Sequence, residues 1–98
     1  MANTEFRKVC EAAVKKWGLD AQLLQTQEEA AELIVAISHF RRGRVNSKKE
    51  VLEELADMEI MLEQMRAAVG DDAIDAVGLK KIERLCDKLG SGLIKSKK

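Results

Sequence analysis

The stretch 28–57 contains two acidic motifs, Glu28-Glu29-Ala30-Ala31-Glu32 and Glu54-Leu55-Ala56-Asp57. Within each motif the carboxylates are three or four residues apart, a spacing that places them on the same side of a helix. Apolar residues recur around each motif with helical spacing. The sequence therefore predicts an all-α fold in which the two motifs lie on consecutive amphipathic helices.

Both helices have an apolar stripe that is expected to face the core. On the first helix this stripe consists of Leu23, Ala30, Leu33, Ile34, Ile37 and Phe40. On the second it consists of Val51, Leu55, Met58, Leu62, Met65 and Val69. At about 100° per residue, Glu54 falls inside the apolar sector, with Asp57 just beyond it. On the first helix Glu29 lies at the edge of the stripe and Glu32 one step further round. These four acids should therefore converge at a half-buried contact, whereas Glu53 and Glu63 should face solvent.

Four converging carboxylates need a neutralising partner, because like charges repel by several kcal/mol at close range near a protein surface. A proton, a Lys or Arg side chain, or a divalent cation could supply it. An all-carboxylate set without His or Cys suits a hard cation, Mg²⁺ first and Mn²⁺ second. The alternative is a solvated, salt-bridged helix face, which is the usual situation of Glu on helices.

The order of the motifs, Glu28-Glu29-x-x-Glu32 followed by Glu54-x-x-Asp57, and the length between them resemble the MazG-like nucleotide pyrophosphohydrolases of the all-α NTP pyrophosphatase superfamily. The resemblance extends over roughly residues 17–90. It implies a four-helix bundle assembled as a homodimer or a dimer of dimers. It also implies Mg²⁺-dependent cleavage of a nucleoside triphosphate to the monophosphate and pyrophosphate.

The same resemblance assigns roles to individual residues. It implies that Glu29, Glu32, Glu54 and Asp57 hold the metal. Glu28 is the extra acid of the motif. It could orient the attacking water, take its proton, or contact the metal ligands without binding the metal itself. In the last helix, Lys81-x-x-Arg84 resembles the pattern that serves the triphosphate, although ordinary exposed cations are an alternative for this pair.

Four helices are predicted, over about residues 4–17, 21–42, 48–69 and 73–89, within a single domain spanning 1–98. Glycines at positions 18, 43, 70 and 90 are expected to end them. Asp20 should cap the second helix, Ser47 with Glu50 should form a capping box for the third, and Asp71 or Asp72 should cap the fourth. The basic tail, about 91–98, is expected to be frayed.

Composition excludes several classes of function. Seventeen basic and seventeen acidic residues balance, so no net charge favours nucleic acid or a membrane surface as a partner. No apolar run is long enough to span a bilayer, and no secretory signal is visible. Cys10 and Cys86 are expected to be small reduced core residues, which fits a cytoplasmic protein.

Three features have two interpretations each. Trp17 could stack on a nucleobase, but a buried anchor at a helix end is favoured. The loop 41–49 contains five cations, and it is either a solvated turn or a basic arm that meets polyphosphate. His39 is expected to be a surface or packing residue and not a ligand. No Glu-x-x-His pair is present, which disfavours a ferritin-like di-iron centre.

The third helix has a second apolar side, formed by Leu52, Ala56 and Ile60. A helix that is apolar on two sides is usually buried on both, so we expect a homo-oligomer. The same surface suits a second class of function, a non-catalytic helical dimerisation or adaptor module with a vestigial acidic cluster.

Overall fold

The computed structural model describes residues 3–90, which form four α-helices joined by short connections. They are α1 (Thr4–Trp17), α2 (Leu19–Arg41), α3 (Ser47–Val69) and α4 (Asp71–Leu89). Residues 3–90 contain no strand, so the all-α prediction is confirmed. Within the same residues, no helix has the length and apolar character needed to cross a bilayer. The predicted frayed tail lies outside the described residues.

Glycines mark the helix ends as predicted, and the closest connection is between α1 and α2. Gly18 is the single residue between these helices, and it has a φ of 90°, a conformation that residues with a Cβ atom rarely adopt. Its N–H donates to the carbonyl of Val14 at 2.8 Å, which closes the last turn of α1. Trp17, the last residue of α1, is therefore separated from the first turn of α2 by one residue only.

The predicted side-chain caps are wrong. No side-chain cap bonds the start of α2 or of α4, where Gly18 and Gly70 occupy the cap position. Asp20, Asp71 and Asp72 lie inside the first turns, where their charges complement the helix dipole instead. At α3, Glu50 does not form the expected reciprocal cap: its backbone N–H donates to Asn46 and its carboxylate is 2.8 Å from Nδ1 of His39.

Helices α2 and α3 run antiparallel, as their paired side chains show. Gln22, near the start of α2, donates from Nε2 to Oε1 of Gln64 near the end of α3, at 2.6 Å. His39, near the end of α2, is paired with Glu50 near the start of α3. This register brings the middle of α2 opposite the middle of α3, which are the positions of the two acidic motifs.

Contacts divide the chain into two units, one up to Ala68 and one from Val69. In the first unit, α1 packs against α3: the Cys10 thiol approaches the carbonyl of Ile60 at 3.7 Å, and Arg7 forms an ion pair with Glu63. Glu63 is only 8% exposed, so the prediction that it faces solvent is wrong. Because α1 covers this side of α3, a residue that the helical pattern placed on the polar face is buried in a salt bridge.

The buried apolar core of the first unit is small. It consists of Cys10, Ala36 and Met61, accompanied by the buried polar residues Gln22, Ser47, Glu63 and Gln64. Several members of the predicted core stripes are exposed instead, including Ile34 at 68%, Leu55 and Leu62. The stripes therefore correctly indicate helices, but much of their apolar surface is not covered by residues 3–90.

In the second unit, α4 presents the same contrast. Among its large apolar residues, Ile74 is half-buried, whereas Val77, Ile82, Leu85 and Leu89 are exposed. Cys86 is buried, as is Cys10 in the first unit, and neither cysteine is in a disulfide. The predicted burial of both thiols is confirmed.

Candidate functional site

Three of the predicted metal ligands converge where α2 and α3 cross at mid-length. One carboxylate oxygen each from Glu29, Glu54 and Asp57 lies within 4.8 Å of the others. The antiparallel register explains this meeting, because it places the Glu29 turn of α2 opposite the turn of α3 that carries Glu54 and Asp57. We call these three residues, with Glu32 beside them, the acidic cluster.

The acidic cluster contains carboxylate oxygens that are both buried and unsatisfied. Oε2 of Glu29 and Oε2 of Glu54 are shielded from solvent and have no hydrogen-bond partner. A buried acceptor without a partner is unfavourable, and such groups are rare. A proton, an ordered water or a bound cation would therefore stabilise these two oxygens.

Burial and mutual repulsion change the acidity of the cluster in one direction. The pKa of Glu54 is raised from its ordinary value of 4.5 to about 6, first because burial removes water and then because of the charges of Glu32, Asp57 and Glu29. Burial also raises the pKa of Glu29; a hydrogen bond from Gln25 opposes this rise, and the charges of Glu32 and Asp57 add to it. Both carboxyls thus hold a proton more readily than an exposed glutamate does.

Glu32 and Glu28 occupy different positions from the other acids. Glu32 is exposed, and its charge raises the pKa of both Glu54 and Glu29. Glu28 is exposed on α2 and does not belong to the group of converging oxygens. The structure thus brings together three of the five predicted acids, places Glu32 beside them and leaves Glu28 to one side.

An open cleft of about 310 Å³ adjoins the acidic cluster on the side of Glu32. It is lined by Ala31, Glu32, Val35, Glu50 and Glu54. Its size is at the lower end of the range typical of small-molecule sites. The cleft gives a ligand access to the carboxylates of Glu32 and Glu54 from solvent.

The acidic cluster continues along the helices as a strip of amide side chains that the sequence interpretation missed. Gln25 donates from Nε2 to Oε1 of Glu29 at 2.8 Å, one turn earlier on α2. The buried Gln22–Gln64 pair follows, seven residues before Glu29 and seven after Asp57. The signal that could have identified these glutamines is their spacing of four or seven residues from the acids, which places them on the same side of each helix.

Trp17 is 59% exposed, so the favoured prediction of a buried helix-end anchor is wrong. Its indole ring lines an open cavity of about 450 Å³ together with Ala21, Gln22 and Gln25. The Lys16 ammonium lies 5.4 Å from the ring centroid, a cation–π distance. Because Gly18 is the whole connection, the end of α1 and the first turns of α2 form the walls of this cavity.

The predicted phosphate-binding cations lie on α4. Lys81 and Arg84 are both exposed, and Lys81 edges an apolar cavity of about 470 Å³ on this helix. In the first unit, all five cations of the loop 41–49 are exposed, which agrees with both interpretations of that loop.

Comparisons with models of known protein families, with characterised proteins and with solved structures found no match to this chain. The resemblance to the MazG-like enzymes therefore stays a prediction that rests on the two acidic motifs and their spacing.

Proposed function

We propose that this chain is a Mg²⁺-dependent nucleoside triphosphate pyrophosphohydrolase that produces a nucleoside monophosphate and pyrophosphate. The observation that carries the proposal is the pair of buried, unpartnered oxygens of Glu29 and Glu54 beside Asp57. On a solvated, salt-bridged face these oxygens would be open to solvent or beside a cationic side chain, whereas both are shielded from solvent. Their arrangement instead fits a site that a cation completes.

The donor set favours a hard cation. All of its donor atoms are carboxylate oxygens, which Mg²⁺ and Mn²⁺ prefer as ligands. Softer metals select His or Cys instead. Glu29, Glu54 and Asp57 would bind directly, with Glu32 adjacent on the cleft side. A cation held there would offset phosphate charge and lower the pKa of a coordinated water.

The acids also position the reacting atoms. The water oxygen attacks the α-phosphorus, the bond from this phosphorus to the oxygen bridging to the β-phosphate breaks, and pyrophosphate leaves with that oxygen. A proton from the water must pass to a base, and the exposed Glu32 at the cleft is the acid of the cluster best placed to accept it. Glu28 is exposed on the same helix and would act from outside the ligand set.

Lys81 and Arg84 are proposed to bind the departing pyrophosphate. Arg offers a planar fork for two phosphate oxygens, and Lys offers a point charge. They are one turn apart on α4 and exposed, so both side chains are accessible to a ligand.

We further propose that the working form is a homodimer or a dimer of dimers in the cytoplasm. Large aliphatic and aromatic side chains of α2 and α3 are exposed, among them Ile34, Val35, Phe40, Leu52, Ile60 and Leu62. Together with the small buried core, this surface supports burial against a second copy. Both thiols suit a reducing compartment. An adaptor module would use the same surface, so the surface alone does not favour catalysis.

The test is pyrophosphate release from each canonical nucleoside triphosphate with Mg²⁺, by wild type and by single variants of the acidic cluster. Glu29→Gln, Glu32→Gln, Glu54→Gln and Asp57→Asn keep side-chain shape and remove one charge each. We expect each to reduce turnover by at least tenfold while the helical circular dichroism spectrum stays unchanged. Glu53→Gln is the matched control, because Glu53 is the exposed neighbour of Glu54. Equal activity of Glu53→Gln and the four variants would contradict the proposal.

A further inference from the structure

The cavity at the junction of α1 and α2 presents an aromatic ring to solvent in a site of ligand size. Trp17 lines it with an indole that is more than half exposed, and the cavity volume of about 450 Å³ falls within the range typical of small-molecule sites. Tryptophan is highly buried in most proteins, so an exposed indole facing a cavity is an informative exception.

The cavity is physically joined to the acidic cluster through Gln25. This residue lines the cavity and donates a hydrogen bond to Glu29 at 2.8 Å. On α2, Gln25 and Gln22 precede Glu29 by four and seven residues, or about 6 and 10 Å at the helical rise. A molecule with a ring in the cavity and phosphates at the carboxylates would therefore lie along one helix.

We infer that this cavity binds the nucleobase of the substrate, with Trp17 stacking on the base and the Gln22 and Gln25 amides contacting its polar edge. This inference rests on the proposed function, since that function supplies the triphosphate at the acidic cluster. Each amide donates one N–H within the protein: Gln22 donates to Gln64, and Gln25 donates to Glu29. Each still has a carbonyl oxygen, which can accept from a ring N–H or an amino group.

Trp17 is the only tryptophan of the chain, so its fluorescence reports directly on the cavity. The probes are the common nucleoside monophosphates, titrated without metal into wild type and into Glu54→Gln, with inorganic pyrophosphate as the ligand that lacks a base. We expect saturable quenching by at least one monophosphate in both proteins and none by pyrophosphate. Equal quenching by pyrophosphate, or none by any monophosphate, would overturn the inference.

Kinetics separate base binding from chemistry. Loss of a base–aromatic stack by alanine substitution corresponds to about a 5- to 160-fold loss of binding. Trp17→Ala should therefore raise KM by about this factor with kcat within about twofold, whereas Trp17→Phe should recover most of the affinity. Val9→Ala is the control, because Val9 is an exposed apolar residue of the same helix.

The outcomes distinguish this inference from the proposed function. Hydrolysis with an unchanged KM in Trp17→Ala would overturn the base site and leave the pyrophosphohydrolase proposal standing. Quenching by monophosphates in a protein that hydrolyses no triphosphate would support the cavity and overturn that proposal. Tryptophan emission that shifts with protein concentration alone would show that a second copy covers the ring, and would also overturn the inference.

Discussion

Adding Mg²⁺ to metal-free protein should raise its melting temperature, and changing Glu54 to Gln should remove most of that increase. In the folded chain the ligand oxygens of Glu29, Glu54 and Asp57 already lie within 4.8 Å of one another. The unfolded chain cannot hold them together, so a cation that binds them would favour the folded state. It would also offset the repulsion that contributes to the raised pKa of Glu54.

The expected magnitude follows from linkage. At a free Mg²⁺ concentration one hundred times the dissociation constant, selective binding to the folded state adds about 2.7 kcal/mol. For a chain of 98 residues, each kcal/mol moves the melting temperature by about 4–8 °C. A saturating titration should therefore raise the melting temperature by about 11–22 °C. A proton on Glu54 competes with the cation, so the shift should be smaller near pH 5 than at pH 7.5.

Differential scanning calorimetry after EDTA treatment and dialysis measures this effect directly. Protein concentration must stay fixed, because dimerisation also moves the melting temperature. Potassium chloride at matched ionic strength controls for charge screening, and Glu53→Gln controls for loss of a carboxylate on the same helix. A shift in Glu54→Gln as large as in wild type, or no shift in wild type, would refute the metal-site reasoning and favour an adaptor module.

Three further predictions concern acidity, assembly and the buried amides. In EDTA, the free energy of unfolding of wild type minus that of Glu54→Gln should fall as pH rises from 4.5 to about 6 and then level off. The reason is that the folded state binds the Glu54 proton more tightly than the unfolded state in that interval. Urea midpoints of both proteins across this range measure the difference. Leu52→Glu should dissociate the oligomer in sedimentation velocity at micromolar concentration, whereas Val45→Glu in the exposed loop should not, and an unchanged sedimentation coefficient for Leu52→Glu would count against assembly through α3. Gln64→Leu should lower the free energy of unfolding by about 1–3 kcal/mol, because Gln22 loses its buried acceptor at 2.6 Å. The double change Gln22→Leu/Gln64→Leu should recover part of this loss, and chemical denaturation measures both effects.

The helices themselves were predictable from the sequence because their signals are local. The predicted α1 coincides with the observed Thr4–Trp17, and the positive-φ glycines lie where the pattern ends each helix. The caps failed because two glycines took the cap position instead of the neighbouring aspartates. Periodicity predicts that a helix forms, but competition between neighbouring cap residues depends on the path of the incoming chain.

Burial was harder to predict, because it depends on which helix packs against which face. Glu63 and Glu53 both lie outside the apolar stripe on a helical wheel, yet α1 covers Glu63 and pairs it with Arg7. Trp17 was expected inside and is exposed, because its side of the α1–α2 junction opens into a cavity. The approach of Glu29, Glu54 and Asp57 was predictable, since spacing within each motif and antiparallel neighbours suffice to bring them together.

The register of α2 against α3 determines whether the acidic cluster can form. Because α2 and α3 run antiparallel, the turn of Glu29 faces the turn that carries Glu54 and Asp57, and the turn of Gln22 faces Gln64. A shift of α3 by one turn would separate the carboxylates and leave the Gln22 amide without its acceptor. The buried Gln22–Gln64 pair lies at one end of the strip of amide side chains. It therefore fixes the register on which the acidic cluster depends. If Gln64→Leu lets α3 slip, Mg²⁺-dependent stabilisation should decline together with the free energy of unfolding, although no ligand has been changed.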